Sequence, residues 1–73
     1  MKERFRTPEQ YRKPSVEFEA ILFDGMNEAE CRSIVPAGRV LERGFWYFKL
    51  DGILHQASDE AMYSFCLPAE AYR

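Results

Sequence analysis

The sequence has little of what active sites and extracellular frameworks are usually made from. It holds one histidine, two cysteines and one tryptophan in 73 residues. Cys31 and Cys66 lie far apart in apolar stretches, with no paired spacing. They read as reduced thiols of a cytosolic protein and as small core residues rather than a disulfide framework. A zinc site needs about four ligands, and Cys31, Cys66 and His55 supply three, so no metal and no cofactor is expected. No serine sits in a nucleophile elbow, and no glycine-rich loop is present to cradle phosphate. His55 as a general base would need an orienting carboxylate and a nucleophile. Asp59, Glu60 and Cys66 are the available groups, but nothing in their spacing requires such a site, so the chain is not expected to be an enzyme. No apolar run approaches the roughly 20 residues that span a bilayer, and Met1-Lys2-Glu3-Arg4-Phe5 does not read as a secretory signal.

What is abundant is apolar and aromatic surface. Hydrophobic residues make up 47% of the chain and aromatics 15%, which marks a globular rather than a disordered sequence. A chain this short forms one small domain and buries only about 60% of the surface its unfolded form exposes. Oligomerisation, with a dimer favoured, would hide more.

The net charge is −2, but it is unevenly spread. Residues 1–13 carry Lys2, Arg4, Arg6, Arg12 and Lys13 against Glu3 and Glu9, whereas the rest of the chain is acidic. A basic arm on an acidic body can grip nucleic acid or an acidic partner surface. The plainer reading is a solvated tail. The acidic body argues against a general phosphate binder.

Residues 1–14, with Pro8 and Pro14 and no sustained period, read as a basic extended arm that Phe5 and Tyr11 could pin to the body. Residues 15–67 read as the domain and 68–73 as a tail. Val16, Phe18, Ala20 and Leu22 alternate with Glu17 and Glu19, the pattern of a half-buried strand. Ile21 and Phe23 fall on the glutamate side, so a helix or second subunit should cover the far end of that face. Asn27 and Glu30 form a potential capping box, with Met26 and Cys31 as a staple, for a short helix over 27–35. Pro36-Ala37-Gly38 ends it. Arg39-Val40-Leu41-Glu42 is a short strand candidate. Phe45 to Leu50 and Ile53 to Gln56 form a hairpin about Asp51-Gly52, a type I′ signal. Ser58 caps a second helical turn, and Tyr63 to Leu67 is a last strand candidate. The expected class is α+β: an antiparallel sheet of about four strands, one short helix packed on it, and a second helical turn near the C-terminus.

Strand geometry gives the hairpin two bulky faces, with Phe45, Tyr47 and Lys49 on one and Trp46, Phe48 and Leu50 on the other. A body this small does not readily bury both. Arg39, Arg43, Phe45, Trp46, Tyr47 and His55 are therefore the candidate partner-binding residues, since aromatics and arginines dominate binding hot spots. The structural alternative packs one face under the helix and covers the other with the N-terminal arm. Arginines beside aromatics also stack on nucleobases, so Arg39, Arg43, Trp46 and His55 could hold a small nucleotide between subunits.

The segment Val16-Glu17-Phe18-Glu19-Ala20-Ile21-Leu22-Phe23, preceded by Arg12-Lys13-Pro14, resembles the opening of a widespread group of small phage and prophage proteins. These begin with a basic segment and a Lys-Pro-Val, followed by a strand reading Val-Glu-Ala-Ile-Gln-Phe. The short acidic helix from Asn27, Gly44-Phe45-Trp46, Gly52 with His55, and Met62 with Phe65 resemble later parts of that pattern. Ser15 intervenes after Pro14, Leu22 and Phe45 stand where the family has glutamine and aspartate, and Gln56-Ala57-Ser58-Asp59 replaces a Pro-Cys-Lys-Pro run. The resemblance implies a phage-encoded, non-enzymatic accessory protein in the host bacterial cytoplasm. It would bind and inhibit a host protein, for host takeover or against a defence system. The alternatives are an oligomeric binder of a small nucleotide signal and a nucleic-acid-associated protein using the basic segment.

Overall fold

A computed structural model of the chain describes residues 1–9, 13–65 and 67–68. It is an α+β domain with element order β1 (Lys2–Arg6), β2 (Glu17–Leu22), α1 (Glu28–Arg32), β3 (Phe45–Leu50), β4 (Ile53–Ser58), α2 (Asp59–Phe65) and β5 (Leu67–Pro68). Four strands of five or six residues and the two-residue β5 form one sheet in the order β4-β3-β2-β1-β5. Every neighbouring pair is antiparallel.

The segment expected to be an arm enters the sheet. Lys2 pairs with Ile21 and Arg6 with Glu17, so β1 is an internal strand rather than an appendage. The cause is one side chain and its parity. Phe5 points into the core and is 0% exposed, while Lys2, Arg4 and Arg6 alternate onto the face that carries Glu17 and Glu19. The Arg6 guanidinium donates to Glu17 Oε2 at 2.6 Å, and Arg4 lies 3.6 Å from Glu17 Oε1. Thr7, fully buried, continues the pairing: its N–H donates to the Val16 carbonyl and its Oγ1 accepts from Val16 N, both at 2.9 Å. A strand with one apolar anchor among charges carries no recognisable period.

Strand alternation divides the core between two faces. On one, Phe5, Phe18, Ala20, Trp46, Phe48, Leu50 and Met62 form a continuous cluster under α2. Its rings run across four strands: Phe5–Phe18 at 6.1 Å, Phe18–Phe48 at 4.7 Å and Phe48–His55 at 5.3 Å between centroids. Trp46 meets Phe5 edge-on at 5.1 Å, and its indole N–H donates to Asp59 Oδ1 at 2.8 Å. On the other face, the cross-strand partners Ile21 and Tyr47 are buried, as are Cys31 of α1 and Val35 just beyond it. The cover expected over Ile21 is thus α1, which packs on β2.

Local signals worked where the backbone itself demanded them. Asp51 and Gly52 both take positive φ, 54° and 77°, as a two-residue type I′ turn requires. The Ser58 hydroxyl accepts from Ala61 N at 3.2 Å, and Asp59 and Glu60 occupy the first turn of α2, where carboxylates suit the helix dipole. Two expected strands are absent as drawn. Tyr63, Ser64 and Phe65 continue α2, because burial of Met62 holds that helix on the core, and only Leu67–Pro68 pairs, with β1. Residues 39–42 form a loop, since both edges of β3 are already occupied by β2 and β4. The α1 capping box is also altered. Asn27 makes no side-chain cap. Its Oδ1 accepts from Asp24 N at 3.0 Å, and its amide donates to the Leu22 carbonyl at 2.8 Å and Glu30 Oε1 at 3.0 Å. The residue therefore ties α1 to the end of β2. Met26 is 94% exposed and staples nothing.

Candidate docking surface

The end of the sheet where β2 leaves and β3 enters carries a loop with a defined shape and unpaired apolar side chains. Gly44 N donates to the Phe23 carbonyl at 2.9 Å, and Phe23 N to the Phe45 carbonyl at 3.0 Å, closing the base of the loop. Arg32, at the end of α1, reaches across it. One guanidinium nitrogen donates to the carbonyls of Pro36 at 2.5 Å and Arg39 at 2.6 Å. From beneath, the Tyr47 hydroxyl accepts from Glu42 N at 2.8 Å. An arginine clamp and a buried phenol thus fix a segment that has no regular secondary structure.

The same scaffold decides what the loop displays. Val40 is 75% exposed on the loop, and Met26, in the separate β2–α1 turn, is 94% exposed. Arg39 and Arg43 are exposed beside them, with Leu41 half-buried. Arg43 lies over Gly25, which has φ +90°; a Cβ there would sit 3.1 Å from Arg43 Nε and 3.2 Å from Cδ. A side chain at position 25 would be strained by its backbone and would push the arginine away. An open depression of about 330 Å³ runs between α1 and the loop, with Phe23, Glu28, Arg32, Arg39, Val40 and Leu41 along it.

The residues singled out from the sequence are distributed differently from that reading. Arg39 and Arg43 belong to this surface, and Phe45 is half-buried at its base. Trp46 and Tyr47 are internal at 1% and 0% exposure, so neither presents a face to a partner: Trp46 packs with Met62 of α2, and the Tyr47 hydroxyl is covered by the loop, whose Glu42 N–H donates to it. His55 is half-buried on β4 with its ring stacked on Phe48, interplanar angle 12°. Arg39 lines the depression between α1 and the loop, whereas Arg43, Trp46 and His55 are not part of its lining. Lys2, Arg4 and Arg6 lie in β1, and Lys13 is exposed in the connection to β2. Arg12 and Tyr11 fall outside the described residues, as does Cys66. Val40, Met26 and Arg32 were not anticipated. The only sequence signal for Val40 and Leu41 was two apolar residues in a short segment flanked by Pro36-Ala37-Gly38 and Arg43-Gly44.

Among the described residues, no three His, Cys, Asp or Glu side chains converge as metal ligands, and Asp59 is engaged by the Trp46 indole. Cys31 is free and buried, and desolvation, followed by the charge of Glu30, pushes its thiol above the ordinary range. The Asn27 amide and then the amino terminus, both hydrogen-bonded to Glu30, hold its carboxyl below the usual range. Among the described residues no helix is long and apolar enough to cross a membrane. No protein-family model, curated protein or solved structure matches the chain.

Proposed function

We propose that this chain is a phage-encoded, non-enzymatic accessory protein that binds and inhibits a host bacterial protein, and that it docks through the loop surface at the end of the sheet. The observation that carries this reading is the exposed Val40, presented between Arg39 and Arg43 on a clamped loop, with the exposed Met26 in the β2–α1 turn next to Gly25, over which Arg43 lies. Ordering a side chain at an interface costs about 0.5–1.5 kcal/mol. A loop already held by Arg32 and Tyr47 has less ordering left to do. Aliphatic anchors flanked by guanidinium groups suit an apolar hollow rimmed by carboxylates on the partner. The phage origin and the host setting come from the sequence resemblance. The nucleotide reading has less support, because Trp46 has no free face. The nucleic-acid reading is weakened by the pairing of Arg4 and Arg6 with Glu17.

The test is affinity capture from host lysate with the wild-type chain, Val40→Asp and Arg43→Glu in parallel, followed by an activity assay of the captured protein. The expected result is a stoichiometric partner that is inhibited by the wild type and lost by at least tenfold with either variant. A partner retained equally by both variants, or none at all, would remove the basis for this docking surface.

A further inference from the structure

The two edges of the sheet are not treated alike. At one edge, β5 is two residues long and ends on Pro68, and a short strand carrying a proline is one of the ways proteins blunt an edge. At the other edge, β4 is six residues, Ile53–Ser58. It contains no lysine, no carboxylate and no proline, its register against β3 is unbroken, and no described strand pairs with its outer side.

Hydrogen-bond parity identifies what that edge offers. Phe23 N donates to the Phe45 carbonyl, so the backbone groups of Phe45, Tyr47 and Lys49 face β2, and those of Trp46, Phe48 and Leu50 face β4. Their partners Ala57, His55 and Ile53 therefore use their N–H and C=O groups on β3. The two-residue turn gives the same phase, since it is closed by a hydrogen-bonded Leu50–Ile53 pair. Leu54 and Gln56 are left with N–H and C=O groups directed away from the sheet.

The geometry points to a second copy of this chain as the occupant, pairing β4 with β4 antiparallel about a two-fold axis at His55. In that register Leu54 of each copy exchanges two backbone hydrogen bonds with Gln56 of the other, four in all by parity. Ile53, which is 62% exposed, then lies opposite Ala57 of the second copy, and the two His55 residues face each other. Self-pairing suits this strand because it carries no carboxylate, lysine or arginine, so two copies meet without the like-charge opposition that penalises cross-strand pairs. A six-residue strand spans roughly 20 Å, which places the contact at or below the low end of stable interfaces, about 1,200 Å². A dimer in exchange with monomer follows, rather than a permanent one. Two five-stranded sheets become one, and antiparallel pairing sets the two Val40 loops at opposite ends.

Sedimentation equilibrium across a micromolar to millimolar series, with two variants, tests this. The wild type should move from 8.6 kDa towards twice that mass. Gln56→Pro removes an outward N–H, which an edge strand tolerates; it should keep the far-UV spectrum of the wild type and stay monomeric. His55→Cys places two thiols at a non-hydrogen-bonded pair, where Cα atoms are about 4.5 Å apart, within disulfide reach. Under mild oxidation it should give a covalent dimer whose linked peptide carries position 55 twice. This second variant decides the matter if the proline variant does not fold. A wild type that remains at monomer mass throughout overturns the proposal. So does a dimer that persists in folded Gln56→Pro, or a His55→Cys dimer without the 55–55 link.

Discussion

Replacing Phe5 by alanine separates a structural first strand from a dispensable basic tail. Phe5 is fully buried in β1, with its ring 6.1 Å from Phe18, 5.1 Å from Trp46 and 5.5 Å from Tyr63 between centroids. Truncating a buried phenylalanine removes its transfer free energy and leaves a cavity, together about 3–5 kcal/mol. A 73-residue domain has a total stability of roughly 4–11 kcal/mol at the usual per-residue values. Phe5→Ala should therefore remove from about a quarter of the stability to all of it. With a urea m-value of about 1 kcal/mol/M, the midpoint should fall by about 3–5 M, or the chain should be unfolded in buffer. A thermal midpoint would drop by at least about 12 °C. Arg4→Ala is the matched control. It removes an exposed side chain and a 3.6 Å ion pair with Glu17, worth at most about 1 kcal/mol. Far-UV circular dichroism in urea measures both. A loss below about 1 kcal/mol for Phe5→Ala, no larger than that of Arg4→Ala, would show that β1 does not hold the core together.

Asp59→Ala deprives the Trp46 indole N–H of its 2.8 Å acceptor and should cost about 1–3 kcal/mol; unchanged tryptophan emission and stability would contradict it. Cys31 should resist alkylation in the folded chain at mildly alkaline pH and react once the chain is unfolded, as read by peptide mass spectrometry. Burial raises its pKa, so the unfolded thiol ionises first and the shift lowers stability only as pH rises past the unfolded value. Rapid labelling of Cys31 in the native protein would contradict that.

The functional and assembly proposals lean on different parts of the molecule. The loop surface depends on Arg32, Tyr47 and Gly25 as supports and on Val40 and Met26 as what is shown. The β4 edge depends on backbone parity and on the absence of charged guards. Val40→Asp should leave self-association intact, and Gln56→Pro should leave the loop intact, so the two surfaces can be assessed separately.

The sequence alone determined the elements whose causes lie within a few residues. The Asp51-Gly52 turn was legible because a type I′ turn needs positive φ at both positions. The alternation of β2 and the serine-capped start of α2 were legible for the same local reason, and with them the α+β class. Tertiary structure decided the rest. Whether Lys2–Arg6 is an arm or a strand depends on pairing with residues 17–21, a contact no local window contains. The burial of Trp46 depends on α2 and that of Tyr47 on the face shared with Ile21 and on the loop at Glu42, and a side chain's own sequence does not say what will lie over it. Residues 39–42 have the composition of a strand but find no edge to join, so their backbone is held by Arg32 and Tyr47 instead. The exposed valine, the arginines beside it and the open edge of β4 all follow from which positions in the sheet were already filled.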